Sequence, residues 1–418
     1  MAGDRSAGTN PTVTVTEKEP RWSMNGAGWV RLVVALWVLA ALIVFVRIAL
    51  RADHDVLSTE WNAGIAWAHG QGVYGGQGGF IYPPSIAAFN AVLDGLPKWF
   101  KGDLWRLVRT GTMLIATFVW VRSGLQPKLD RKQLTVIYLL LFPLAIGDLN
   151  NGQSNPMISG LLILGVVAVS RRSWNLAALC FALPACYKVY PLAVGLLMCV
   201  LFPRQLAWRI ALLLILVAAA AFLTQHPAYV ADQYRLWVET RRLDQRRYTA
   251  TDPQRDFWMI FRAAGVPLTG WFYLCLQLGS AAALAGFAWW AQHKHWDQGR
   301  LLFALLNLGL CWMLLFGPAT EAATYVILAP SIVFSVLLAF EQPWFLRALA
   351  WSAYGLLLAG ELHNSLIHSK KILWAVAIQP IAAVLFAAYC ILLTARPSEW
   401  KRRGDETASG RNGETAKV

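Results

Sequence analysis

Residues 29–49 read WVRLVVALWVLAALIVFVRIA, an apolar run whose only charges, Arg31 and Arg47, stand near its two ends. A helix needs about 20 such residues to cross roughly 30 Å of hydrocarbon. The run is too long for the core of a cleaved leader, so the expectation is a retained signal anchor. Similar runs recur near 104–122, 133–149, 154–170, 173–187, 189–203, 207–224, 271–291, 301–316, 320–340, 345–361 and 373–394. The pattern predicts an all-α polytopic membrane bundle of about twelve crossings. Pro184, Lys188 and Pro191 interrupt residues 174–202, which can form a tight hairpin or one broken helix.

Composition agrees with this reading. Of the 418 residues 57% are hydrophobic and only 14% charged, where soluble domains carry about 25% charge. The net charge of +14 is not the patch of a nucleic-acid binder, because the basic residues sit in short connections between apolar runs. Cys180, Cys186, Cys199, Cys275, Cys311 and Cys390 all lie in or beside apolar runs, without metal-ligand or redox spacing. They read as small buried hydrophobes.

The lysine and arginine bias fixes an orientation. Arg122, Lys128, Arg131, Lys132, Arg171, Arg172, Arg204, Arg209, Lys294, Arg300, Arg347, Arg396, Lys401, Arg402 and Arg403 share one side if Tyr82–Pro97 does not cross. That side is expected to be cytoplasmic, with both termini on it. Residues 1–28 and 396–418 read as disordered tails around a membrane domain over 29–395. The expected location is the plasma membrane, the inner membrane in a bacterium. Tyr82–Pro97, with Asn90 and Asp94, reads as a re-entrant or interfacial helix.

Two outer loops follow, 50–103 and 225–270. The second holds seven arginines against five acids, and Val230, Tyr234 and Trp237 recur at helical spacing. This predicts an amphipathic interfacial helix. No internal repeat is found, which weighs against inverted-repeat transporters.

Polar clusters mark candidate chemistry. Asp53, His54 and Asp55 follow the first span, and a carboxylate there can take a proton from a hydroxyl; the plainer reading is a solvated acidic connector. Tyr82-Pro83-Pro84 forms either an active-site wall or a simple helix start. Asp148–Pro156 holds more amides than a turn requires, so Gln153 and Asn155 are candidate ligands for sugar hydroxyls. Lys188 is an ionisable group in apolar sequence, placing about 2.5 to 3.5 kcal/mol at stake on insertion scales; otherwise it snorkels from a hairpin tip. Glu321 and Tyr325, four apart, are predicted on one face of a helix capped by Thr320. His293 and His295 lie in a basic loop without carboxylates, and no metal or cofactor is expected.

In order along the chain, Asp55, Gly72-Val73-Tyr74, Tyr82-Pro83-Pro84, Gly152-Gln153-Ser154-Asn155, Lys188 with Pro191, and Pro318 to Tyr325 resemble glycosyltransferase family 87 of the GT-C superfamily. Its members include polyprenol-phosphate-mannose-dependent mannosyltransferases. The resemblance implies a GT-C-type bundle with interfacial helices in its outer loops, a catalytic aspartate in the first outer loop, and a polyprenyl-phosphate-sugar donor. It implies Asp55 as base, with Asp53 open as an alternative. Known mannosyltransferases of the family carry paired histidines where Glu321, Ala322, Ala323 and Thr324 stand here, which bears on the sugar and acceptor. The expected reaction is inverting transfer of a mannose-like hexose to a lipid or glycan acceptor. Lys188 and Arg255 are expected to steady the leaving phosphate, and Tyr82, Gln153, Asn155, Glu321 and Tyr325 to line the site. Competing readings are a lipid or sugar transporter or flippase, a non-catalytic polyprenyl-phosphate-binding scaffold, and a hydrolase or ligase acting on lipid-linked glycans.

Overall fold

The computed structural model describes residues 26–50, 56–74, 79–125, 129–243, 254–318, 320–364 and 373–396. Among them no strand occurs. The first helices are α1 (Gly26–Leu50), α2 (Val56–Ala68), α3 (Pro84–Val92), α4 (Lys98–Arg122), α5 (Arg131–Asn151) and α6 (Asn155–Ser170). Next come α7 (Trp174–Tyr187), α8 (Leu192–Leu201), α9 (Pro203–Ala220), α10 (Pro227–Arg242) and α11 (Phe257–Ala263). The chain ends in α12 (Gly270–His293), α13 (Gln298–Phe316), a 3-10 segment (Ala322–Leu328), α14 (Ala329–Ala339), α15 (Trp344–Leu362) and α16 (Leu373–Thr394).

Each of the twelve expected apolar runs falls on a helix. Among the described residues eight helical stretches are long and apolar enough to cross a membrane: α1, α4, α5, α9 with its short extension, α12, α13, the 3-10 segment with α14, and α16. Helices α6, α7 and α8 have 16, 14 and 10 residues, about 24, 21 and 15 Å at 1.5 Å per residue. Those lengths fall short of roughly 30 Å of hydrocarbon; of the twelve expected runs, these three and α15, which carries Arg347 and Glu361, stand outside the eight. Helix α3 has nine residues, too few to cross, and α10 forms where the amphipathic helix was expected. Helix α1 starts at Gly26, inside the stretch expected as a tail. Residues 1–25 and 397–418 of the expected tails lie outside the described residues.

Local signals set the boundaries. Asp130 accepts from the Gln133 N–H while the Gln133 side chain accepts from the Asp130 N–H, a reciprocal cap that starts α5. Gly152 ends α5 at φ +61°, a left-handed conformation that glycine adopts without penalty. Pro156 then starts α6, where a missing N–H leaves nothing unpaired. Gly160 lets α6 approach α4, since a Cβ there would lie 2.7 Å from the Thr112 backbone.

Helices α13 and α14 form the centre, with 89% of each apolar window buried, against 17% for α1 and α9 and 11% for α12. The outer helices turn Leu39, Ile43, Leu216, Leu278 and Trp289 outward, as a surface facing lipid requires. The helices alternate between two ends of the bundle. At one end Gln292 donates to the Leu201 carbonyl at 3.1 Å, Trp174 meets Phe202, and Arg396 lies over the Phe345 ring. The arginines and lysines predicted on one side gather here, Lys128 and those after Arg396 lying outside the described residues. We call this the basic end. The turns after α5, α7 and α13 meet α2, α3 and residues 254–256 at the opposite end.

Candidate functional site

The described residues expected to contact sugar or phosphate sit at that opposite, polar end, whereas His293 and His295 lie at the basic end. The floor of the polar end is the Asp148–Asn155 turn beside the tip between α7 and α8. Lys188 is the extended residue after α7, and its Nζ donates to Asn155 Oδ1 at 2.8 Å. The amide of Asn155 donates in turn to Asp148 Oδ1 at 3.2 Å. Asn155 and Asp148 are buried and Lys188 only partly, so the ammonium is backed by a fixed polar chain and keeps an open side. Lys188 thus stands at the tip between two apolar helices that are each shorter than a full crossing. Gln153 is buried beside them, its N–H donating to the Asp148 carbonyl at 3.0 Å.

Tyr82 closes one wall. Its ring packs on Phe80 and Tyr187, its carbonyl accepts from the Tyr74 hydroxyl at 2.7 Å, and Glu60, Lys188, Arg109 and Glu321 all lie within electrostatic reach. Burial, with the Glu60 charge behind it, pushes its phenol up in pKa. The phenol thus stays a neutral hydrogen-bonding group. Pro83 and Pro84 start α3 directly behind it, as the helix-start reading expects.

Arg255 forms the opposite wall and is held from several sides. Its N–H donates to the Thr320 carbonyl at 2.8 Å and its own carbonyl accepts from the Tyr325 hydroxyl at 2.6 Å. Its Nη1 donates to Gln379 Oε1 at 2.8 Å, and Nη2 reaches Asn364 Oδ1 at 3.5 Å. The Gln379 amide also donates to the Ala322 carbonyl at 3.1 Å. Gly360 makes room, because a Cβ there would come within 2.6 Å of the Gln379 side chain. Glu361 is buried, within electrostatic reach of both Arg255 and Asp148.

The 321–325 region corrects the expected geometry. Residues 322–328 form a 3-10 helix, and Glu321, not Thr320, is its cap: its side chain accepts from the Thr324 N–H while its own N–H donates to Thr324 Oγ1 at 3.1 Å. With three residues per turn, Glu321 aligns with Thr324, and Tyr325 turns away. Tyr325 is fully buried and serves the Arg255 backbone, while Glu321 keeps partial exposure. The cause is Pro330, which has no N–H for the Val326 carbonyl and whose ring crowds it. The α-helix restarts only at Ala329.

The structure thus brings together Tyr82, Gln153, Asn155, Lys188, Glu321 and Arg255, with Tyr325 as a support behind them. Asp53 and Asp55 lie outside the described residues. Just beyond them, Val56 packs on the cluster containing Tyr82, and Leu57 presses on Gly152, where a Cβ would lie 2.5 Å from its Cδ1. Sequence reading gave no role to Glu60, Arg109, Gln379 or Glu361. All four are polar groups in largely apolar helices, the same signal that marked Lys188. Among the described residues no three His, Cys, Asp or Glu side chains form a metal-ligand set.

The architecture is that of a multi-pass, all-helical membrane protein with its buried polar chemistry at one end. The chain belongs to glycosyltransferase family 87, whose model matches residues 80–318, more than half its length. That span takes in Tyr82, Gln153, Asn155, Lys188 and Arg255, and stops short of Asp55, Glu321 and Tyr325. Among solved structures, ArnT from Cupriavidus metallidurans in its apo state is similar at 14% identity, over 90% of this chain and 78% of that one, with a TM-score of 0.34. That likeness is too loose to bear on the site. A search of curated proteins found no match.

Proposed function

We propose that this membrane glycosyltransferase moves a mannose-like hexose from a polyprenyl-phosphate-sugar donor to a lipid or glycan acceptor, with inversion, at its polar end. The observation that carries the reading is Lys188. A part-buried ammonium fixed by Asn155 at the tip between two short apolar helices suits the phosphate of a donor whose tail lies in the bilayer. Arg255, braced by Gln379, Asn364 and Tyr325, offers a second cation. The positive-inside bias of the basic end supports an extracytoplasmic position for this end and cytoplasmic termini, with the plasma membrane as the proposed location.

In the reaction, the Asp55 carboxylate takes the proton of an acceptor hydroxyl, and that oxygen bonds to the anomeric carbon from the face opposite the phosphate. The bond between the anomeric carbon and the phosphate oxygen breaks, and its electron pair stays on the phosphate beside Lys188 and Arg255. The products are glycosylated acceptor, polyprenyl phosphate and protonated Asp55, which returns its proton to water. Tyr82, Gln153, Asn155 and Glu321 supply hydroxyl, amide and carboxylate groups for the sugar.

The test is transfer from radiolabelled polyprenyl-phosphate mannose to membrane-lipid acceptors by purified wild type and Asp55→Asn. Transfer by wild type alone, with donor binding kept in both, is the expected result. Equal transfer by both removes Asp55 as base and moves the role to Asp53 or Glu321, and silence from wild type across mannose and glucose donors removes the transferase chemistry proposed here.

A further inference from the structure

One buried ion pair lies behind the reacting groups. Glu60 on α2 is 0% exposed and Arg109 on α4 is 1% exposed. Arg109 Nη2 meets Glu60 Oε2 at 2.6 Å. Its Nη1 donates to the Gly152 carbonyl, and its guanidinium carbon lies 5.6 Å from both the Trp105 and Tyr187 ring centroids. One planar cation therefore touches three separated pieces of chain: α2, five residues beyond Asp55; the turn that carries Asn155; and Tyr187, the residue before Lys188. Leu57, fully buried, presses on the same Gly152.

Stability alone gives this arrangement little reason. Two charges removed from water recover their hydration only through good geometry, and replacing such pairs with apolar groups of similar volume is often neutral or stabilising. What an apolar pair cannot do is fix direction. A guanidinium with donors in a rigid fork sets α2 and the Gly152 turn at one mutual angle and distance. Glu60, enclosed on all sides, is not placed to touch substrate.

We propose that Glu60 and Arg109 are a positioning pair, holding the chain that follows Asp55 against the Asn155–Lys188 array so that base and phosphate cations meet one substrate. The inference rests on the transfer reaction proposed above. Misplacing reacting groups by about 1 Å can lower a rate about 100-fold, and that effect belongs to the rate constant.

The experiment is single-turnover transfer by the full chain in lipid nanodiscs, preloaded with polyprenyl-phosphate mannose or glucose and mixed with a membrane-lipid acceptor extract. Misfolding lowers the amplitude, whereas mispositioning lowers the rate constant. For Glu60→Leu/Arg109→Met, which leaves no lone buried charge, the expected rate constant is about 100-fold below wild type, with donor binding within about threefold. Arg109→Lys, which cannot bridge Glu60 and Gly152 together, should fall about tenfold. An unchanged rate constant in the double variant overturns the inference while the transfer reading stands, and if the double variant gives no amplitude the Arg109→Lys rate constant decides in the same way. If neither variant binds donor, the pair is a folding requirement and the proposal falls. Silence from wild type with both donors removes the transfer reading and this inference with it.

Discussion

The two ends of the bundle use the same residue types in opposite ways. At the basic end Arg122, Arg131, Lys132, Arg171, Arg172, Arg204, Lys294 and Arg347 are exposed. There the exception, Arg300, is buried but satisfies the Thr394 carbonyl at the end of α16 and stacks on Trp296, a cation at a helix C-terminus. At the polar end Glu60, Arg106, Arg109, Asp148, Asn155, Arg255, Gln379 and Glu361 are all buried, and several bond to each other across distant segments. Exposed charge orients a chain in a membrane and needs no partner. Buried charge is retained against a desolvation cost of several kcal/mol per ion, so its concentration at one end marks where the protein holds polar groups for a task.

The sharpest way to break that contrast is Lys188→Gln. If the Lys188 ammonium steadies the leaving phosphate, its loss should lower the transfer rate about 10²- to 10³-fold, the range seen when one preorganised charge-stabilising donor is removed. Asn155 keeps its bond to Asp148, so the fold should survive, as thermal unfolding would show. A loss smaller than tenfold would make the buried charges of the polar end as incidental to transfer as those of the basic end.

This contrast was only half legible in the sequence. Helices followed from composition, because an apolar run of membrane length has one way to satisfy its backbone, and all twelve runs became helices. Lys188 and Asn155 stood out as polar residues in apolar surroundings. Glu60 and Arg109 did not, because they are 49 residues apart and nothing local to either names the other. Arg255 was visible, but its supports Gln379 and Asn364 come from residues more than 100 positions away. The 3-10 geometry at 322–328 followed from Pro330, which lies beyond the Pro318–Tyr325 motif. Tyr325 consequently passed for a site residue although its hydroxyl points to the Arg255 backbone. Helix lengths set by packing, as at α8, were hidden because apolar composition alone does not say where a helix stops.

A smaller effect is expected from the brace on Arg255. Gln379→Leu removes the acceptor for Nη1 and the donor to the Ala322 carbonyl. Unmet buried polar groups cost about 1 to 3 kcal/mol each, so the melting temperature should fall, and a freed guanidinium should raise the donor KM about tenfold, near 1.4 kcal/mol. Gln379→Glu separates the two effects. A carboxylate restores a partner for Nη1 but not the donor to the Ala322 carbonyl, so it recovers part of the melting temperature; it also neutralises the guanidinium proposed to face the phosphate, so the donor KM should stay high. Recovery of both by Gln379→Glu would make Arg255 purely structural.

The smallest effect is expected from Arg204→Gln at the basic end, nearly the same chemical change as Lys188→Gln. Arg204 is exposed in the first turn of α9, where the helix dipole disfavours a cation by about 0.3 to 1 kcal/mol before screening. Replacing it should leave stability unchanged or raise it by up to about 0.5 kcal/mol, within the range of ordinary surface changes. Orientation in the membrane should hold as well, since many other Lys and Arg residues share that end. Transfer should stay within about twofold of wild type. A tenfold fall in transfer with melting temperature intact would tie the basic end to the reaction, and the difference between the ends would then be one of burial without a difference of role.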